Sequence, residues 1–556
     1  MSQPRLKHSY RPAFAWLLMA ALGLWHPAQA QQLTTPVDGP ALTEEGPAAA
    51  GCTRGDVIVY GGTPAGIAAA IQAARLKKKV LLLEPTMHIG GMMASGLNKT
   101  DASPRRGVYG GIVMEFLDRA RANYGTTDPV RIYFESKWAE KTFAAMLRDD
   151  GVKLVRGQLI ASVKRSGKTL SVLKTTAGRS FCGSVYIDAS YEGDLMKLSG
   201  VTTVVGREAK AKYGEDAAGV QKLAYPNIAT TAQPDFIIID PYVIAGRPES
   251  GLLPDISPIG QQPIGAADKS LMAFNYRLCV TQVQGNLRPF TQPSDYDPLR
   301  YESLARFIAA MHANGQAISP NYFIGNSDTV NGKLDVNSNA FFSTNVWNIS
   351  YAYATGSEAQ RVQLRASVRS YIQGLLWFAV SDPRVPEDVR AYTAQFGYCA
   401  DEFADNGNFP YQIYVRQSRR LVGQYVLTEN DLEKKATFSD GIGLGYYPMD
   451  QHGMIRTVLN GAIGEDIRES ISVGPYQIPY RAMLPKRNEI TNLLVPVALS
   501  TSHVAYTSVR VEPTYMVLGQ AAGAAAALAP GGNVNNINIV QLRRELIAAG
   551  QIIRWR

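Results

Sequence analysis

Cysteine is scarce in this chain. Its 556 residues include four, Cys52, Cys182, Cys279 and Cys399, and no two of them stand as a CxxC pair. Without such pairs, c-type haem attachment and the common iron–sulfur ligand runs are excluded. No HExxH or comparable metal-ligand spacing occurs either, so no metal site is expected. Histidine is sparse too. Of six, His8 and His26 lie near the N-terminus, which leaves His88, His312, His452 and His503 as acid–base candidates. No Lys/Arg cluster interleaved with aromatics marks a nucleic-acid surface. The formal net charge of +9, part of it from Arg5, Lys7 and Arg11, is mild. Residues 13–24 form an apolar run too short to cross a bilayer, and no membrane span is expected in the mature chain.

The N-terminus has the parts of a secretory signal: basic residues up to Arg11, the apolar run, and a small-x-small end at Ala28-Gln29-Ala30. Residues 1–30 are read as a signal peptide cleaved after Ala30, which predicts a periplasmic or secreted protein. The leader has no twin arginine, which favours export of an unfolded chain that acquires its cofactor afterwards. Residues 31–51, rich in Pro, Gly, Ala and polar residues, read as a flexible linker. The length calls for more than one hydrophobic core, and 46% hydrophobic with 19% charged residues fits a soluble globular protein.

The folded part opens on a β-turn-helix-β unit. Residues 56–60 (DVIVY) suit a buried parallel strand, a glycine-rich turn follows, then a helix over 64–76 and a strand over 80–84. In Gly61-Gly62-Thr63-Pro64-Ala65-Gly66, Gly61 permits the tight turn, Gly66 lets helix and strand approach, and the helix start offers N–H groups to a pyrophosphate. Thr63 stands where the middle glycine is usual. Glu84, at the end of the second strand, is placed to accept hydrogen bonds from ribose hydroxyls. The pattern predicts an α/β fold: a Rossmann-type cofactor domain over 52–200, an inserted α+β substrate or cap domain over 201–479, and a return to the cofactor domain over 480–556. A dinucleotide is expected, NAD or FAD. Two later segments favour FAD: Asp188-Ala189-Ser190-Tyr191-Glu192-Gly193-Asp194 at a strand exit, and the small-residue helix with Gly519-Gln520-Ala521-Ala522-Gly523.

With these stretches go HIGGMMASGL, DEFADNGNFPYQIYVRQSRRLVGQYV, YYPMDQH and SHVAYTSVRVEPTYMVLGQAAGAAAALA. Together they resemble, over residues 56–528, the FAD-dependent oxidoreductase family whose bacterial members are often labelled xanthan lyases, related to fumarate-reductase- and succinate-dehydrogenase-like flavoproteins. The resemblance implies a glutathione-reductase-like parallel sheet with FAD stretched across it. Glu84 and Pro85 would meet the adenosine ribose, and Gly90, Gly91 and Met92 would run beside the ribityl chain. Ile160 or its neighbour Leu159 would meet adenine through backbone, with Ala189, Ser190 and Asp194 at the strand exit. A helix starting near Pro513 to Met516 would aim its N–H groups at the pyrimidine end of the flavin, with Arg510 beside it. In such folds the strands after Cys52 and Cys182 are usually parallel neighbours. These two residues are then either a disulfide or two small buried side chains.

His503 and Arg510 match positions that bind substrate carboxylates or carbonyls in fumarate-reductase-like proteins; the bland alternative is a loop histidine and an arginine paired with Glu512. His452 suits a proton relay or a surface role. Arg416, with Arg419 and Arg420, could hold an anionic or polyhydroxyl substrate, or lie on a helix face with ion pairs. His88 sits where succinate-dehydrogenase-type proteins attach FAD, or it simply packs. The leading expectation is dehydrogenation of a small sugar, polyol or hydroxy acid by hydride transfer to FAD, with His503 as acid/base and Arg510 orienting the substrate. Oxygen, a quinone or a separate carrier would take the electrons. A reductase of an activated double bond, and a non-enzymatic or lyase-type protein with a vestigial nucleotide fold, are the alternatives.

Overall fold

Three short runs almost free of polar side chains, VIVY, VLLL and VYID, have apolar surface on both faces and form the buried centre of a parallel sheet. The computed structural model describes residues 51–100, 107–125, 133–226, 236–325, 327–338, 341–466 and 469–555. The expected signal peptide and nearly all of the expected linker fall outside the described residues. The central sheet runs in the order Leu493–Leu494, Val185–Asp188, Val57–Tyr60, Val80–Leu83, Lys153–Val155, all neighbours parallel. Its register pairs Tyr60 with both Leu83 and Asp188. Gly61, Glu84 and Ala189 therefore leave the sheet side by side at its carboxyl edge, where open α/β sheets bind ligands.

Two helices cover one face. Pro64–Arg75 has Pro at its first position and Thr63 as cap, and Glu512–Leu528 lies across it. A Cβ on Gly519 would overlap the carbonyl oxygen of Ala65, and one on Gly523 that of Ala69. The two helices thus pack backbone to backbone, and the Gln520 side chain tightens the contact by donating to Gln72 Oε1 at 3.1 Å.

A second, four-stranded sheet holds Thr53–Arg54, Ser180–Cys182, Thr169–Thr175 and Ile160–Ser166. Arg54 pairs with Cys182 there, and Cys52 and Cys182 are joined in a disulfide with their Cα atoms 5.8 Å apart. Cys279 and Cys399, for which sequence reasoning offered no pairing, form a second disulfide. They lie on adjacent antiparallel strands, Leu278–Thr281 and Gly397–Cys399, of another four-stranded sheet. The long helix Glu358–Ser381 starts at a Ser357/Gln360 capping box. Residues 416–420 do not form the helix face that was one expectation for Arg416, Arg419 and Arg420. They run as irregular chain into the two-residue strand Arg420–Leu421, with all three guanidinium side chains buried. No helix among the described residues is long and apolar enough to cross a membrane.

The helix contact yields a direct test. A Gly519→Val chain must push Glu512–Leu528 away from a backbone carbonyl that cannot yield, so unfolding stability should drop by about 1–3 kcal/mol. An unchanged denaturation midpoint would mean that the helices do not touch there.

Candidate functional site

Gly61 has φ +101°, and a Cβ there would lie 2.8 Å from the Ser190 amide nitrogen, so only glycine fits the turn. Thr63 has two bonds of its own: Oγ1 donates to the Ala189 carbonyl at 2.8 Å and accepts from the Gly66 N–H at 3.2 Å. This changes what the helix start offers. Pro64 has no N–H and the Gly66 N–H is taken, so Ala65 alone keeps its amide among the first three helical positions.

Glu84 accepts from the Gly62 N–H through Oε2 at 2.7 Å, and from the Thr86 N–H and hydroxyl through Oε1 at 2.7 and 2.6 Å. Burial pushes its carboxyl up against those three bonds. Asp188 ties down the strand exit, accepting from the Ser190 N–H and Oγ and from the Met196 N–H; burial raises it to about 6.

These residues enclose a cavity of about 400 Å³, within the ~300–1,000 Å³ usual for small-molecule pockets. Of the residues singled out from sequence, Gly61, Thr63, Glu84, Pro85, Ser190 and Asp194 line it. Gly62, Pro64, Ala65, Gly66 and Ala189 shape its wall through the contacts just given. Leu159, not Ile160, reaches the cavity, because the Ile160 N–H already donates to Tyr60 Oη at 3.1 Å. Sequence reasoning missed the opposite wall: Tyr353, Glu358, Arg361 and Arg365. The spacing of Arg361 and Arg365, one helical turn apart, was the available signal.

Next to this cavity, Gly91 faces Tyr191, whose Oη accepts from the Met92 N–H at 3.0 Å and donates to Glu512 Oε1 at 2.6 Å. Gly90 precedes them with φ +93° and accepts the Ala94 N–H at its carbonyl. The C-terminal helix begins at Glu512, one residue before the expected stretch. Pro513 has no N–H to offer, and Met516 lies beyond the first turn. The first residue of this helix is thus itself an acid, its carboxylate bonded to Tyr191. His88 is engaged on both ring nitrogens, 3.3 Å from Glu140 and 3.3 Å from Asp405, and stacks on Tyr411. Packing, not attachment, matches that arrangement.

Three of the four proposed catalytic residues converge elsewhere. Arg510 donates to Tyr414 Oη at 2.9 Å and to Asp450 at 3.1 Å, and Asp450 also holds His452 Nε2 at 3.0 Å. Arg416 lies over the Tyr414 ring at 4.8 Å. It donates to the Ala273 carbonyl, Asn345, Asn337 and Ser338, with no carboxylate among these partners although it is fully buried. Burial pulls its guanidinium down to about 9. For Arg510, burial opposes the charge and Tyr414 and Asp450 outweigh it, so its value rises. His503 stands apart from this group, with Nδ1 2.7 Å from Gln417 Oε1 and its N–H on Glu208. Burial, with Arg416 beside His452 and Arg420 beside His503, drives both imidazoles well below their ordinary value.

Seven buried polar atoms on residues 416–420 and 501–510 have no hydrogen-bond partner: Arg416 Nε, Gln417 Nε2, Ser418 Oγ, Arg420 Nη1, Thr501 Oγ1, His503 Nε2 and Arg510 Nε. Orphans are costly one at a time. Seven fall on these two segments, and four of them are guanidinium or amide N–H donors.

The family model described as FAD dependent oxidoreductase matches residues 56–546. The chain belongs to that family. Its cofactor is FAD, and it is an FAD-dependent oxidoreductase. No curated protein matches the chain. Among solved structures it is similar to OxyS anhydrotetracycline hydroxylase from Streptomyces rimosus (14% identity, 31% of this chain and 42% of that one, TM-score 0.20). It is also similar to T. acidophilum thioredoxin reductase (17%, 24% and 35%, 0.18). A third is L-proline dehydrogenase from P. horikoshii (13%, 28% and 59%, 0.23). The chain spans less than two thirds of each of these proteins, and the assignment rests on the family match.

The two buried imidazoles give a pH test. Their folded-state values lie below the ~6.5 of an unfolded histidine, so the unfolded chain binds more protons as pH falls, and this contribution to stability is present above that value and lost below it. Between pH 7 and 5 the His452→Gln, His503→Gln double variant should lose less of its urea midpoint than the parent. Equal losses would show that neither ring is held neutral.

Proposed function

We propose that this is an exported dehydrogenase of a small polar organic substrate, and that within the class of sugars, polyols and hydroxy acids the hydroxy acid fits the site best. The observation that carries it is Arg416: a fully buried guanidinium with no carboxylate among its partners, one residue-layer from Arg510 and His452 across Tyr414 and Asp450. Asp450 acts on this guanidinium only from a distance, so burial is poorly compensated, and a substrate carboxylate supplies the missing direct partner.

FAD, when bound, supplies the acceptor for the two electrons that leave the substrate carbon. The chain supplies the rest. Arg416 and Arg510 hold the carboxylate, and His452, kept neutral and oriented by Asp450, takes the hydroxyl proton. The first reading gave His503 the proton; its place against Gln417 and Glu208, away from the Asp450 group, favours His452. The segment over 201–479 thus supplies the substrate side of the site.

Export is supported by the two disulfides, which persist in oxidising compartments, and by the form of the leader. The same lone Arg416 also suits a second reading, reduction of an unsaturated acid, in which an arginine stabilises charge on the acid.

Anaerobic mixing of the purified flavoprotein with sugars, polyols and hydroxy acids separates these outcomes. A hydroxy acid should bleach the flavin, and His452→Gln should slow bleaching by about 10²–10⁴-fold with flavin content unchanged. If no hydroxy acid bleaches it, and an enoate reoxidises the chemically reduced enzyme, the reductase reading replaces this one.

A further inference from the structure

The glycine loop is poorly equipped to hold a diphosphate by itself. Pro64 carries no N–H and Thr63 Oγ1 holds that of Gly66, so the first three helical positions contribute one free amide, at Ala65. The cavity beside them adds to the difficulty, because Glu84, Glu192, Asp194 and Glu358 all line it. Two cations face these four carboxylates, Arg361 and Arg365, both from the helix Glu358–Ser381.

The two arginines are not equivalent. Arg361 is buried and committed: it grips Asp194 with two bonds, at 2.5 and 3.0 Å, and its Nε donates to the Tyr353 carbonyl at 3.0 Å. Arg365 has fewer partners, and no bidentate grip. Its Nη1 is 3.3 Å from Tyr353 Oη, its Nη2 pairs with Glu358, whose side chain is 36% exposed, and its Nε has no hydrogen-bond partner among the described residues. A part-buried single pair of this kind gives way to a doubly charged ligand, to which a guanidinium donates in a bidentate fork.

We propose that Arg365 is the counter-charge of the FAD diphosphate, so that the cofactor is retained by a residue outside the dinucleotide unit. The shortage created by Thr63 and Pro64 at the helix start is made up from the long helix across the cavity. Glu358 then acts as a competitor that keeps Arg365 in place before the diphosphate arrives.

Flavin fluorescence during dilution of the holoenzyme measures FAD release, and ADP and adenosine binding to the full-length deflavinated chain separates phosphate from base. Arg365→Gln should speed FAD release and weaken ADP binding by about tenfold or more, leaving adenosine binding as it was. Glu358→Gln, which frees Arg365, should do the opposite, slowing release and tightening ADP. The proposal is overturned if Arg365→Gln releases FAD at the parent's rate, or if it weakens adenosine as much as ADP. Should Arg365→Gln not fold, Glu358→Gln decides: no change, or faster release, overturns it.

Discussion

Everything at the site is positioned by the contact between two helix backbones. Because Gly519 and Gly523 present no side chain to the Ala65 and Ala69 carbonyls, Glu512–Leu528 lies directly on the helix that opens at the glycine loop. That fixes the start of the C-terminal helix, and with it Arg510 and Glu512, against chain elements more than four hundred residues earlier. Close packing leaves no room for adjustment. A shift of the later helix would move Arg510 relative to Tyr414 and Asp450, and Glu512 relative to Tyr191, all at once.

The second constraint is electrostatic. Burying guanidinium groups is unfavourable unless each finds acceptors, and the chain satisfies three of them in three ways. Arg277 takes a buried carboxylate, Asp335; Arg510 shares Asp450 with His452; Arg416 relies on amide and hydroxyl oxygens and on the Tyr414 ring. The last arrangement is the least balanced. It is also the one where an incoming anion gains most, which is why the site is read as acid-binding. A different solution appears at Lys333, whose ammonium sits among Glu135, Asp401 and Glu402. There one ammonium serves three carboxylates, and Lys137 adds a second cation to two of them.

The dinucleotide unit was legible in the sequence because local rules fixed it: apolar four-residue strands, a glycine demanded by a positive φ, and an acid at a strand end. Strand adjacency, implied by the family resemblance, left Cys52 and Cys182 as either a disulfide or two small buried side chains, and the disulfide is what forms. What was not legible depended on long-range pairing. Nothing local joins Cys279 to Cys399 or brings Tyr414, Asp450 and Arg510 together across about a hundred residues. Residues 416–420 misled most, since basic residues three and four apart suggest a solvated helix face, whereas the chain there is irregular and buried. Thr63 was recognised as a departure from glycine, but its effect on the Gly66 amide required knowing where its hydroxyl points.

The strand exit at residues 188–194 shows why cofactor and substrate sides cannot be treated separately. Asp188 anchors it, Ser190 and Asp194 face the dinucleotide cavity, and Asp194 reaches the long helix through Arg361. Between them Tyr191 lines the same cavity and also bonds the Met92 amide and Glu512. One short segment thus touches the glycine loop, the chain beside Gly91, the C-terminal helix and the helix carrying Arg365. Through Tyr191 the segment also holds Glu512, at the helix start two residues from Arg510. A continuous set of hydrogen bonds thus runs from the dinucleotide cavity to the start of the C-terminal helix beside Arg510.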